Sequence, residues 1–422
     1  MASKFYTNNR QKFTDIIEPK SIAVFFSSDE YPRNGDQNFA FRQNSDLLYL
    51  SGIDQEETIL VIAPDAKRKV LREILFIKKV SKLDVIWHGK KLSKEDAYSI
   101  SGIEMVYYVE QFDAVLNELM SEHDNVYLWL NEYPKYQTQV PYKSFREAER
   151  LKKKYPLHRY LRAFPILENL RLIKSDFEID TIKKACQITG VAFEKILKTI
   201  KPGIYEFEIE AEITYEFRKN ESKSHAYPPI VASGENSCIL HYTDNSAECK
   251  NGDLLLLDFG AEYNNYASDC SRTIPVNGKF SSRQKECYDA VLRVFKKART
   301  LYIPGNSIDS INQKVNEWIN EECVNLGLYT LDESDIKIEV PRFTTYFMHG
   351  TSHFIGLDVH DVGQKSTILK KGMILSCEPG LYIEEERIGI RIETDMLVDD
   401  VPIDLMAHIP VEVDEIERLM KR

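Results

Sequence analysis

Apolar positions along the chain follow two rhythms that alternate. Ser21 to Phe26 and Thr58 to Ile62 are short β-branched and aromatic runs, the second ended by Ala63-Pro64-Asp65, and both predict buried strands. Val126 to Leu130 predicts a third. Between them, Lys94 to Ile100 and Gln111 to Met120 carry helical spacing, and strands alternating with helices predict a partly parallel sheet. Phe145 to Leu151 predicts a helix that runs into Lys152-Lys153-Lys154 and stops at Tyr155-Pro156. The lysines read as a solvated face, and no catalytic spacing occurs in this half.

A domain boundary is expected between Arg162 and Lys174, giving an α/β domain over 1-168 and a second domain over 169-422. Ser175 and Glu178 have the spacing of a helix cap, and Ile179, Ile182, Ala185 and Ile188 continue a helix that ends at Lys201-Pro202-Gly203. Glu206 to Asn220 predicts another, with Ile209, Ile213 and Phe217 on one face. Segments 284–301 and 307–326 repeat the helix pair. Two rounds of helices followed by strands, each ending in an acidic hairpin, predict two similar halves closing over one cleft.

Leu254 to Leu257 enters Asp258 as a strand covered on both faces. A turn over Glu262-Tyr263-Asn264-Asn265 would set Asp258 opposite Asp269, and a turn over Glu384-Glu385-Glu386-Arg387 would set Glu378 opposite Glu393. Carboxylates paired at about 5 Å are costly unless a cation lies between them or one is protonated.

Length and charge narrow the classes. At 422 residues two domains are the default. Hydrophobic residues at 43% and charged residues at 29% describe a globular chain. Basic residues number 55 and acidic 66, a net charge of -11 that argues against nucleic acid as partner. The start has no signal-peptide core, and no stretch approaches the roughly 18 apolar residues of a membrane span. A cytoplasmic protein with no membrane partner is expected. Cys186, Cys238, Cys249, Cys270, Cys287, Cys323 and Cys377 are scattered without C-x-x-C spacing, which suits reduced bystander thiols.

Between the hairpins lies His349-Gly350-Thr351-Ser352-His353, followed by His360-Asp361. Four carboxylates and one imidazole suit hard or borderline ions such as Mn²⁺, and their charge of about minus four balances two divalent ions. Read blandly, these are two acidic surface hairpins around a solvated histidine stretch; the second hairpin and His353 weigh against that. Cys270 and Cys377, one residue from Asp269 and Glu378, would face the other side of their strands. Spacing does not separate the histidines' roles. His349 and His353 are four apart, yet Gly350-Thr351-Ser352 favours extended chain. His360 sits at an odd offset from His353 that a bulge at Gly356 would correct. His241 alone would read as structural.

In these residues the chain resembles the proline-specific metallopeptidases of the pita-bread fold, a family that also holds prolidase and methionine aminopeptidase, and most closely the Xaa-Pro aminopeptidases (aminopeptidase P). The resemblance rests on Ser233-Gly234-Glu235-Asn236, Ile239 to Thr243, Asp258-Phe259-Gly260, Asp269 with Arg272-Thr273, His349 to Asp361, Glu378 to Tyr382, and Arg391-Ile392-Glu393. It extends upstream to Phe41–Gly52, and so spans nearly the whole chain. It implies a pseudo-twofold pita-bread catalytic domain behind a mixed-sheet α/β domain.

It further implies two divalent ions, most plausibly manganese, held by Asp258, Asp269, His353, Glu378 and Glu393, with hydroxide between them as nucleophile. Glu378 would also shuttle a proton. His241 and His360 match histidines near the scissile carbonyl, His349 one lining the substrate side, and Arg391 an arginine braced against the acidic site. Tyr382 would contact substrate. Trp87 matches a tryptophan that in some members reaches a neighbouring subunit, so a homodimer or homotetramer is expected, although a core role suits a tryptophan equally. The substrates would be peptides with an Xaa-Pro amino terminus. Two departures stand out: Glu378 to Glu393 is short, and Ser224-His225-Ala226-Tyr227-Pro228-Pro229 is atypical, with His225 read as structural.

Two alternatives remain. A prolidase would cut only Xaa-Pro dipeptides; Thr351-Ser352 before His353, where prolidases tend to carry glycine, points to the aminopeptidase. A metal-free binding or chaperone module is a reading of another class, and five filled ligand positions oppose it.

Overall fold

The computed structural model describes residues 2–134, 136, 138–330 and 340–421. The chain divides into two compact units, Met1–Leu170 and Arg171–Arg422.

In the first unit every residue of Ser21–Phe26 is buried, as expected of a strand with apolar side chains on both faces. It is a central strand of a six-stranded sheet, antiparallel to Ile59–Ile62 and parallel to Asn125–Leu128. Glu73–Ile77 and Met105–Tyr108 extend one side, and Arg159–Arg162 closes the other. The expected partly parallel sheet is present, with three strands the hydrophobic pattern did not single out. One core gathers Val24, Phe26, Val61 and Phe76 from the sheet against Phe112 and Leu116 of helix Phe112–Met120 and Leu151 of helix Lys143–Lys154.

The second unit opens on helix Asp176–Thr199, where the Glu178 carboxylate accepts from the Ser175 N–H and hydroxyl, both at 2.9 Å. Helix Glu206–Lys219 buries Ile209, Ile213 and Phe217, the stripe its spacing predicts. The first strand group sets Leu254–Asp258 between Ile230–Ser233 and Ser271–Pro275. Helices Ser282–Ala298 and Ile308–Asn325 follow, and then Ile374–Cys377 pairs with Thr394–Leu397.

The two acidic hairpins part company in register. In the second, Gly380 pairs with Arg391 and Cys377 with Thr394, so Glu378 and Glu393 do face each other. In the first, Asp258 pairs with Ser271, not with Asp269. The reversal there is a two-residue turn at Asn264-Asn265, both with positive φ (49° and 65°), flanked by the Tyr263–Tyr266 pair. Asparagine tolerates that left-handed backbone, so the tight turn displaces the expected four-residue one and shifts the register by two. Asp269 becomes the diagonal neighbour of Asp258 on the same face.

The expected bulge at Gly356 is also replaced. Phe354 makes a single bridge to Leu375, after which the chain turns out of the sheet and closes where the Asp361 N–H donates to Phe354 O at 2.8 Å. A Cβ at Gly356 would lie 2.1 Å from Asp361 Oδ2, so only glycine lets the carboxylate pack on that backbone.

Candidate metal centre

The strand ends bring the acids together. One ligand atom each from Asp269, His353 and Glu393 lies within 4.8 Å of the others. His353 Nε2 is 3.3 Å from Asp269 Oδ2 and 3.5 Å from Glu378 Oε1. Its Nδ1, 3.2 Å from Phe354 O, is placed to donate to that carbonyl, which turns Nε2 toward the carboxylates. Backbone bonds hold the segment: Thr351 N–H donates to Asn312 Oδ1 at 2.8 Å, Glu378 N–H to Thr351 O at 2.9 Å and Ser376 N–H to His353 O at 2.8 Å.

Each acid has an outer partner, and Asp258 has one on each oxygen. Ser271 Oγ donates to Glu393 Oε2 at 2.7 Å, and Ser376 Oγ to Glu378 Oε1 at 3.2 Å. The Tyr227 hydroxyl lies 2.6 Å from Asp258 Oδ1 and 2.5 Å from Asp269 Oδ1, joining the two acids of the first hairpin. Arg391 donates to Asp258 Oδ2, to Ser271 Oγ at 2.8 Å and to the Tyr382 hydroxyl at 2.7 Å. That hydroxyl in turn meets His349 Nε2 at 2.8 Å, and His349 Nδ1 lies 2.8 Å from Gly350 O.

Charges respond to this crowding. Burial and the neighbouring acids push the Glu393 carboxyl well above its ordinary range; burial and Asp258 push up Asp269. Burial raises Glu378 to about 7 against the pull of His353. Burial would lower His353, but Asp269 and Glu378 outweigh it and raise the imidazole to about 9. His349 goes the other way, down to about 3, through burial and the Arg391 charge. A concentration of buried anions that holds protons is what a bound cation relieves.

Over residues 180–400 the chain matches the model of metallopeptidase family M24, and over 6–128 that of the aminopeptidase P N-terminal domain. The Xaa-Pro aminopeptidase of Escherichia coli is 35% identical over 98% of this chain and 97% of that protein. The proline aminopeptidase P II structure from Yersinia pestis superposes with a TM-score of 0.89 at 33% identity, covering 100% of this chain and 99% of that one. Zinc-substituted E. coli aminopeptidase P with product gives 0.88 at 34% identity, covering 100% and 98%.

The chain belongs to metallopeptidase family M24. It is a hydrolase; its first unit is mixed α/β and its second has the pita-bread fold.

Within this M24 unit, Asp258, Asp269, His353, Glu378 and Glu393 converge, joined by Arg391, Tyr382 and His349. The imidazole of His360 stands 4.3 Å from that of His353, centroid to centroid, with the planes at 64°. His241 is exposed beyond the 3₁₀ turn Gly234–Cys238. Trp87 lies in the first unit, 74% exposed on helix Lys82–His88. His225, read as structural, pairs with Thr214 Oγ1 at 2.8 Å.

Tyr227, Ser271 and Ser376 escaped the sequence reading. Ser271 and Ser376 could have been found by strand alternation, each two residues from a ligand candidate and so on its face. Tyr227 lies in the segment marked atypical, where no periodicity points to it.

Proposed function

We propose that this M24 chain is an Xaa-Pro aminopeptidase, releasing the first residue of peptides with proline second, with two divalent ions held by Asp258, Asp269, His353, Glu378 and Glu393. The observation that carries the reading is the convergence of those side chains, in a protein similar along its whole length to enzymes named Xaa-Pro aminopeptidase. The donor set fits the ions. Carboxylate oxygens and one imidazole favour Mn²⁺ over thiolate-seeking metals. Serine, tyrosine or arginine partners orient the acids: Ser271 holds Glu393 Oε2, Ser376 holds Glu378 Oε1, and Tyr227 and Arg391 hold the two oxygens of Asp258.

Bound ions would supply Lewis acidity toward the scissile carbonyl and lower the pKa of water. The residues of the chain do the rest. An Xaa-Pro bond is a tertiary amide without N–H, so recognition must come from the carbonyl, the free amine and the ring. His360 or His241 would donate to the developing oxyanion. Glu378, with Oε1 3.5 Å from His353 Nε2, would pass a proton to the leaving prolyl nitrogen. His349, its two nitrogens held by Gly350 O and the Tyr382 hydroxyl, would line the substrate side together with Tyr382.

Residues 1–168 would fold as a domain apart from the catalytic 169–422. Free thiols, buried in six of the seven cysteines, suit a reducing cytoplasm. Helix Lys82–His88 buries none of its residues and exposes Leu83, Ile86 and Trp87, which supports a homodimer or homotetramer. Sedimentation of wild type and Trp87→Ala tests that.

The decisive assay compares an Xaa-Pro dipeptide with an Xaa-Pro-Xaa tripeptide in the presence of Mn²⁺. Cleavage of the tripeptide supports the aminopeptidase; a preference for the dipeptide would make the protein a prolidase. Glu393→Ala is expected to lose metal and activity together, and full retention of both would overturn the ligand assignment.

A further inference from the structure

A second charged cluster lies behind the histidine segment. Asp361 is 3% exposed, and two cations of equal burial meet it: Arg171, 4% exposed, and Lys174, also 4%. Lys174 Nζ donates to Asp361 Oδ2 at 3.0 Å, and Arg171 donates to Asp361 Oδ1 and to Asp358 Oδ2, the latter at 2.8 Å. The cations precede helix Asp176–Thr199, and the Lys174 N–H donates to Gly372 O at 2.8 Å.

Burial alone would push the Asp361 carboxyl up; Arg171 and Lys174 outweigh it and hold it below its ordinary range. Buried ion pairs add little net stability compared with apolar packing of the same volume, so their use lies in fixing one arrangement. Here the arrangement fixed is a loop whose ends are both functional. Phe354, next to the ligand candidate His353, is tied to Asp361 by a backbone bond, and His360 directly precedes Asp361. Between them Ala267 N–H donates to Gly356 O at 2.8 Å, and the Gly356 backbone admits the carboxylate where a Cβ would strike it.

We propose that Asp361, clamped by Arg171 and Lys174, is a positioning residue for His360, holding its imidazole beside that of His353 in the orientation the reaction uses. The inference rests on the aminopeptidase reading for its kinetic consequence, and its structural consequence stands without it.

Asp361→Asn keeps the shape and removes the charge. With the Mn²⁺-loaded full chain and an Xaa-Pro-Xaa peptide, kcat is expected to fall about 10- to 100-fold with KM within about twofold, as small misplacements of a reacting group do. Because the effect runs through His360, the double variant His360→Ala/Asp361→Asn should be no slower than His360→Ala alone. Losses that multiply would overturn the proposal, as would an unchanged kcat. Lys174→Met, which keeps the Arg171 pair, is the gentler variant if Asp361→Asn fails to fold, and a smaller kcat loss that likewise vanishes in the His360→Ala background is expected. A crystal structure of either variant gives a readout independent of turnover: the His353–His360 centroid distance should move from 4.3 Å. An unmoved ring refutes the clamp, whereas an inactive wild type with a moved ring refutes only the aminopeptidase reading.

Discussion

His349 is fixed as a neutral donor–acceptor by its surroundings. Its Nδ1 faces Gly350 O, its Nε2 faces the Tyr382 hydroxyl, and Arg391 occupies that hydroxyl from the other side. With its pKa down at about 3, it takes up no proton between pH 5 and 9, so it cannot set a limb of the pH–rate profile there. His349→Gln should therefore lower kcat/KM while leaving the shape of the profile unchanged; loss of a limb would contradict the neutral imidazole. Tyr382→Phe tests the same chain from its middle. It strands a buried acceptor on His349 and a buried donor on Arg391, a cost of about 1–3 kcal/mol. If that cost falls on the reactive geometry, kcat/KM drops about 10- to 100-fold, and steady-state rates equal to wild type would remove the residue from the site.

At the scale of elements, the two hairpins show what was legible and why. The Glu378–Glu393 pairing followed from counting, because a four-residue reversal ending at Arg387, with φ 55°, leaves an even ladder on both sides. The Asp258–Asp269 pairing was off by two because the count assumed the same reversal, whereas Asn264-Asn265 turns in two residues. Both asparagines sit where left-handed backbone costs a residue with a plain Cβ about 1–2 kcal/mol. Asn264→Ala should thus destabilise by about 1 kcal/mol and Asn264→Gly should not, compared by urea unfolding. Gly260→Ala in the same hairpin should be worse than either, since its Cβ would lie 1.7 Å from Ser268 O. Helices and ligand candidates were readable because periodicity and residue type are local. The Arg171–Lys174–Asp361 cluster was not, because its partners lie 187 and 190 positions apart and only the folded chain joins them.

For the whole molecule, the metal centre links stability to ion and proton together. A ligand that binds only the folded state adds RT ln(1 + [L]/Kd), about 2.7 kcal/mol at a hundredfold excess over Kd. In a chain of 422 residues that is a shift in Tm of about 3 °C for one ion, so chelation of purified protein should lower Tm by at least that much. The pH dependence has a definite sign. In metal-stripped protein Glu378 is raised to about 7 and His353 to about 9, so the folded state holds more protons than the unfolded chain across that range. Stability of the stripped protein then falls as pH rises through those values. If Glu378 and His353 hold the ions, loaded protein would already have released those protons and its stability would show no such loss. Calorimetry from about pH 5.5 to 8.5 should show the loaded and stripped Tm values diverging as pH increases; a gap that stays constant or narrows would mean that the ions are not seated among Glu378 and His353.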